Sequence, residues 1–212
     1  MTGKGAYIDP DKCRECGRCA QACPYNAIAD LVRPCKRSCP VGAISIQEDK
    51  VAVIEQDKCI SCGACMRDCP FGAISDRSQL APLIERILGP KPVVAIFAPA
   101  LEGQFGPNVP MGKLKSAALQ LGFAAAYEVA MGADGTAQAE GEELLEVLAR
   151  GGKMTTSCCP AFVNMVRKHY PQLQNLVSTT ASPMLITARL VRRLHPNCAV
   201  AFFGPCVAKK TE

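Results

Sequence analysis

Two runs of cysteine share one spacing, and that spacing limits what the chain can fold around. Cys13, Cys16, Cys19 and Cys23–Pro24 fit Cys-x2-Cys-x2-Cys-x3-Cys-Pro, and Cys59, Cys62, Cys65 and Cys69–Pro70 repeat it. Three thiolates on one tight loop can grip three corners of an iron–sulfur cube, while the fourth points from the following helix to a second cube. Gly17 and Gly63 let the loop backbone bend closely around an inorganic core. Backbone N–H groups there can donate to sulfur and tune the potential. Zinc sites instead pair Cys-x2-Cys with a distant second pair. The runs therefore imply two 4Fe–4S clusters.

The cysteines are segregated. Of the fourteen, ten lie between Cys13 and Cys69, none between residues 70 and 157, and the others are Cys158, Cys159, Cys198 and Cys206. The front stretch repeats internally as "CPYNAI", "CPVGAI" and "CPFGAI", starting at Cys23, Cys39 and Cys69, and the middle copy keeps only Cys35 and Cys39. Between the second and third copies, "AISIQEDKVAVIEQ" reads as two short strands around a polar turn. Residues 7–76 resemble the bacterial two-cluster ferredoxins. Two clusters need eight thiolates and ten are present, so two are spare. The crossover rule assigns Cys13, Cys16, Cys19 and Cys69 to one cluster, and Cys59, Cys62 and Cys65 to the other. The last ligand is Cys23 or Cys39. The shorter connection to Cys59 speaks for Cys39, but Cys23 belongs to the complete run and is the expected ligand. Cys35 and Cys39 otherwise read as buried free thiols.

Composition excludes several classes. With 49% hydrophobic and 20% charged residues the chain is globular. The longest apolar run, residues 93–101, contains Pro99 and is too short to span a membrane. No basic segment leads into an apolar one at the N-terminus, so a cytoplasmic location is expected. The formal charge of +5 invites a nucleic-acid partner. However, each oxidised cluster with its thiolates carries roughly −2, leaving about +1, and no basic stripe interleaved with aromatics appears.

The rear stretch alternates in type. Residues 93–98, 124–130, 153–156 and 199–203 read as strands, and 112–121, 140–149, 161–169 and 183–194 as helices. That alternation suggests βαβ units on a parallel sheet. The chain is thus expected to be α+β: a ferredoxin-like two-cluster domain over 1–78, a linker helix (80–88) and joint within 79–92, where Gly89, Pro90 and Pro92 break structure, and an α/β domain with a largely parallel, incomplete sheet over 93–212. His169 and His195 fall near helix ends and read as surface residues.

Cys158 and Cys159 lie between a short strand and a helix headed by Pro160, where α/β sheets place ligands. Cys206 ends another strand, with Lys209 three residues on. Neighbouring parallel strands would bring these cysteines to one edge, beside a cation. "TTSCCPAFV" (155–163) and "GPCVAKKTE" (204–212) resemble the first two signature motifs of the iron–iron (FeFe) hydrogenases, "TSCCPxW" and "MPCxxKxxE", and the similarity runs from Val93 to Glu212. In that family a four-iron cube is bridged to a two-iron subcluster with carbon monoxide, cyanide and dithiolate ligands. The resemblance implies that Cys159 and Cys206 ligate the cube, that Cys158 is the proton-relaying thiol, and that Lys209 donates to a cyanide ligand. Glu212 matches the glutamate that ends the second motif and belongs to the proton path. Glu143 and Ser178 fall, by spacing, where further members of that path would stand. Ala98 and Pro99 of "FAPA" match the segment lining the two-iron pocket. A thiol near its working pH can give and take a proton, and an ammonium beside a bound anion gains a charge-assisted hydrogen bond.

There are departures. Gly204 replaces the usual Met and Phe162 the usual Trp. The family's third motif, which supplies two further cysteines to the cube, is absent, and Cys198 is misplaced to serve. The chain alone is expected not to hold a stable catalytic cluster, so either a missing C-terminal portion or a complementing subunit finishes it. The expected function is reversible reduction of protons to dihydrogen, with electrons from a soluble ferredoxin or similar carrier. The alternatives are a non-catalytic electron-transfer protein and a hydrogenase-like iron–sulfur assembly protein. Cys158 and Lys209 argue against the assembly protein, because by the resemblance they serve the two-iron site. No membrane span and no nucleic-acid partner are expected.

Overall fold

A computed structural model describes residues 8–9, 12–13, 17–28, 32–47 and 51–212. Cys16 lies outside the described residues.

The front part is built from short pieces: α1 (Arg18–Ala22), α2 (Pro34–Arg37), β1 (Ile44–Ile46), β2 (Ala52–Ile54) and α3 (Ala64–Arg67). β1 and β2 pair antiparallel, Ile44 opposite Ile54, as the alternation around the polar turn anticipates. The sequence repeat is also a structural one. Pro34 accepts from the Ser38 N–H and Ala64 from the Asp68 N–H at 2.9 and 3.0 Å, closing α2 and α3 alike. Gly42 and Gly72 then turn the chain with φ of 61° and 60°, a region open to glycine. Immediately after, the N–H groups of Ala43 and Ala73 donate to the sulfurs of Cys39 and Cys69 at 3.2 and 3.3 Å.

α4 (Leu80–Ile87) leads into the rear part: β3 (Val93–Phe97), α5 (Met111–Gln120), β4 (Ala125–Glu128), α6 (Ala130–Ala149), α7 (Pro160–His169), α8 (Pro183–Leu194) and β5 (Ala199–Phe203). The sheet runs β4-β3-β5, with both pairs parallel. Every residue of β3 is buried, as a central strand covered on both faces must be. Val93, Ala95 and Phe97 face α5 through Met111 and Ala118, with Leu83 and Ile87 of α4 adding cover. Val94 and Ile96 face the other layer through Met184 and Val191 of α8. α8 has a sequence reason to start where it does: the Ser182 hydroxyl caps it by accepting from the Leu185 N–H, and Pro183 sits in the first turn. Among the described residues no helix is long and apolar enough to cross a membrane.

The structure departs from the sequence expectations at residues 153–156, in α6 and at His195. Residues 153–156 do not join the sheet; only Thr155 forms a parallel bridge, to Val177. α6 is a twenty-residue helix rather than the stretch 140–149. Its early part carries Gly132, Gly135 and Gly141, poor helix formers, yet Gly132 is buried where α8 crosses. A Cβ there would meet the Pro183 carbonyl oxygen and Thr187 Oγ1, both at 2.3 Å. Gly132→Ala is therefore expected to cost about 3 kcal/mol or more by overpacking a rigid backbone contact, read as a lowered urea midpoint. Finally, His195 is less exposed than expected, while His169 stays at the surface. His195 is half-buried against the Tyr127 hydroxyl at 2.8 Å, and His169 lies 2.8 Å from the Lys58 carbonyl oxygen.

Candidate metal centres

A small cavity in the front part is lined by Cys39, Cys59, Cys62 and Cys65 between the apolar walls of Ile44, Ile54 and Ile60. The loop 59–65 can close around it because Gly63 takes φ of 78° at the head of α3. Two sulfurs already accept backbone N–H groups, Cys59 from Ser61 at 3.4 Å and Cys39 from Ala43. Burial pushes the Cys65 thiol up, so a metal binding there has a proton to displace. Thiols, N–H donors to sulfur and apolar walls are the chemistry a cubane iron–sulfur cluster uses, while among the described residues no three such side chains already converge on a single-ion site. Cys23, the ligand expected from the completeness of its run, does not line this cavity; Cys39 does, because the short chain between it and Cys59 folds back as the β1–β2 hairpin. Cys69 sits elsewhere, its thiol held below the usual range by the N–H groups of Phe71 and Ala73. Cys13 and Cys23 are half-buried, Cys19 exposed and Cys35 buried.

In the rear part, Cys158 and Cys159 occupy the turn between the Thr155 bridge and α7, with Cys159 as the residue before its first turn. Cys206 follows β5 and opens the 3-10 turn Val207–Thr211. All three cysteines are exposed. Lys209 joins the two segments. Its ammonium donates to the Cys158 carbonyl oxygen at 2.9 Å and to Glu212 Oε2 at 2.8 Å, and the Ser182 hydroxyl donates to the same carboxylate oxygen at 3.0 Å. The Lys209 and Glu212 side chains are only 14% and 16% exposed, so this pair is better shielded than a surface salt bridge. The sequence anticipated this meeting, but through paired strands; a side-chain bridge makes it instead. Half-buried Ala98 and exposed Pro99 leave the end of β3 beside β5, where the Ala98 N–H donates to the Phe203 carbonyl oxygen at 2.8 Å. Gly204 has a packing reason to lack a side chain, since a Cβ would come within 2.5 Å of the Phe202 ring.

Glu143 on α6 accepts from Ser178 Oγ (2.5 Å), Thr179 N–H (3.0 Å), Thr179 Oγ1 (3.0 Å) and Thr180 Oγ1 (3.2 Å). These donors, Ser178 first, hold its carboxyl below the ordinary value near 4.5. Because the folded state favours the charged form, the stabilisation is complete above pH 4.5 and fades as pH falls through the lower folded value. Glu143→Ala is expected to lose about 1.5–3 kcal/mol at pH 7. The deficit against wild type should shrink in acid, as checked by urea unfolding between pH 7 and 3.

Sequence reasoning missed Glu140, three residues earlier on the same face of α6. It accepts from the Ser157 N–H at 3.0 Å, directly before Cys158, and from the Ser157 hydroxyl at 3.4 Å. The i, i+3 spacing from Glu143 was the available signal.

Comparison with known proteins places this geometry in a family. Residues 91–212 match the family described as iron only hydrogenase large subunit, C-terminal domain. Residues 6–29 match a 4Fe-4S binding domain, and residues 29–80 an LdpA Fe-S cluster-binding domain. Iron hydrogenase 1 of Clostridium pasteurianum is 31% identical over 227 aligned positions, covering 99% of this chain and 39% of that protein. The periplasmic Fe hydrogenase large subunit of Nitratidesulfovibrio vulgaris is 33% identical, covering 97% and 50%. Among solved structures, an FeFe-hydrogenase HydA(deltaEFG), described for stepwise H-cluster assembly, superposes with TM-score 0.57 at 26% identity over 64% of this chain and 40% of that one. The FeFe-hydrogenase HydA1 from Chlamydomonas reinhardtii gives 0.57 at 25%, over 64% and 39%. The chain belongs to the iron-only (FeFe) hydrogenase large-subunit family and carries iron–sulfur binding segments ahead of its hydrogenase segment. It spans half or less of the length of the two hydrogenases it matches end to end.

Proposed function

We propose that these residues serve an FeFe hydrogenase that interconverts protons and electrons with dihydrogen. Residues 1–78 carry electrons and are joined through 79–92 to catalytic residues 93–212. Cys13, Cys16, Cys19 and Cys69 hold one 4Fe–4S cluster. Cys39, Cys59, Cys62 and Cys65 hold the other, the cavity favouring Cys39 over Cys23. Cys159 and Cys206 ligate the catalytic four-iron cube, and two further thiolates come from a polypeptide segment other than these residues. When bound, the two-iron centre supplies the place where protons and electrons combine.

The observation that carries this reading is the Lys209 bridge. One ammonium ties the Cys158–Cys159 turn to the segment after Cys206, and two of its three N–H groups are engaged there, leaving one for a bound anion. Cys158 takes and gives a proton at its sulfur. Glu212, held by Lys209 and Ser182, and the pair Glu140 and Glu143, with Ser178, provide carboxylate and hydroxyl positions through which protons reach it. Ala98 and Pro99, at the end of β3, line the side of the two-iron site. A soluble ferredoxin or similar carrier delivers electrons, and the protein works anaerobically.

The test is dihydrogen evolution by the polypeptide completed beyond Glu212, purified without oxygen and matured with the two-iron cofactor. Evolution from a reduced carrier is expected. Full cluster loading with no evolution would replace the enzyme reading with that of an electron carrier.

A further inference from the structure

α7 ends against the loop that carries Cys59. Lys168 Nζ donates to the carbonyl oxygens of both Gln56 and Cys59, each at 2.7 Å, and His169 lies against Lys58 between them. At its other end the same helix begins at Cys159. A ten-residue helix, about 15 Å long, thus runs from the rear cysteine pair to the front cysteine loop.

We propose that Lys168 is a positioning residue for electron transfer: its ammonium fixes the Cys59 loop to α7 and raises the reduction potential of the cluster held by Cys39, Cys59, Cys62 and Cys65. This rests on reading the front cavity as that cluster's site. Reduction adds one negative charge to the cluster, so a cation fixed beside its loop favours the reduced form. Lys168 is exposed, so solvent screens its field and the effect is modest. It is not needed to hold the two parts together. Val207 packs over Gly63, where a Cβ would meet its methyl at 3.1 Å. Lys210 pairs with the Asp76 carboxylate and donates to the Arg77 carbonyl oxygen at 2.8 Å. Removing the charge at Lys168 therefore leaves the parts docked.

The experiment is a redox titration of the anaerobically reconstituted chain, followed by electron paramagnetic resonance, on wild type, Lys168→Gln and Lys168→Arg. In Lys168→Gln the reduced-to-oxidised ratio of one cluster at fixed potential is expected to fall about threefold. That is about 28 mV, at about 59 mV per tenfold for a one-electron couple. The other cluster should stay put, and Lys168→Arg should return the wild-type value. Unchanged potentials in Lys168→Gln at full iron content would overturn the proposal, as would failure of Lys168→Arg to restore a shifted one. If wild type holds no cluster that depends on Cys39, the cavity reading fails and takes this proposal with it. Iron analysis of Cys39→Ala beside wild type shows that outcome before any potential is measured.

Discussion

Cys158→Ala is expected to lower dihydrogen evolution by the completed, matured enzyme at least about a hundredfold, the usual worth of a positioned proton donor, with iron content unchanged. The substitution removes one titratable sulfur and little else. Cys158 is exposed, and its side chain has only a long contact, 3.6 Å, with Thr156 Oγ1. Its backbone carbonyl is what Lys209 holds, and alanine keeps that carbonyl. The neighbouring Cys159, the proposed ligand, keeps its place at the head of α7. Gas evolution and iron analysis on the same samples separate the two effects. Activity within twofold of wild type would remove Cys158 from the proton route.

The second large effect distinguishes Cys39 from Cys23. Cys39→Ala should cost about four irons per chain, the content of one cubane, whereas Cys23→Ala should keep them. Cys39 lines the cavity with Cys59, Cys62 and Cys65, and its sulfur already accepts the Ala43 N–H. Cys23 lines no part of it. Iron and sulfide analysis of both variants after anaerobic reconstitution decides the matter, with circular dichroism as a check on folding. Retained iron in Cys39→Ala beside a loss in Cys23→Ala would reverse the assignment.

Much of the fold was legible because period and punctuation agreed. β3 is an unbroken apolar run and lies wholly buried, and α8 announces itself with Ser182, Pro183 and apolar residues at helical spacing. α6 was half hidden because its glycines argue against a helix locally while the crossing of α8 requires one of them. Residues 153–156 have strand-like composition, but the sheet takes β4 and β5 as partners for β3 and leaves Thr155 to Val177. At the candidate site, the cysteines and Lys209 could be found from spacing. The choice of Cys39 could not, since run completeness and connection length pointed to different sulfurs and only the fold shows which one reaches the Cys59 loop. The contacts of Lys168 were equally invisible, because they join residues more than a hundred positions apart.

The latches between the two parts bear on any attempt to rewire the protein. Val207 over Gly63, Lys210 on Asp76 and Lys168 on the Cys59 loop all belong to the rear half, yet they grip the front half. The front half is consequently not a portable cassette. Grafted onto another catalyst, it would arrive with three sockets empty, so a working transplant must carry those side chains or rebuild them on the new host.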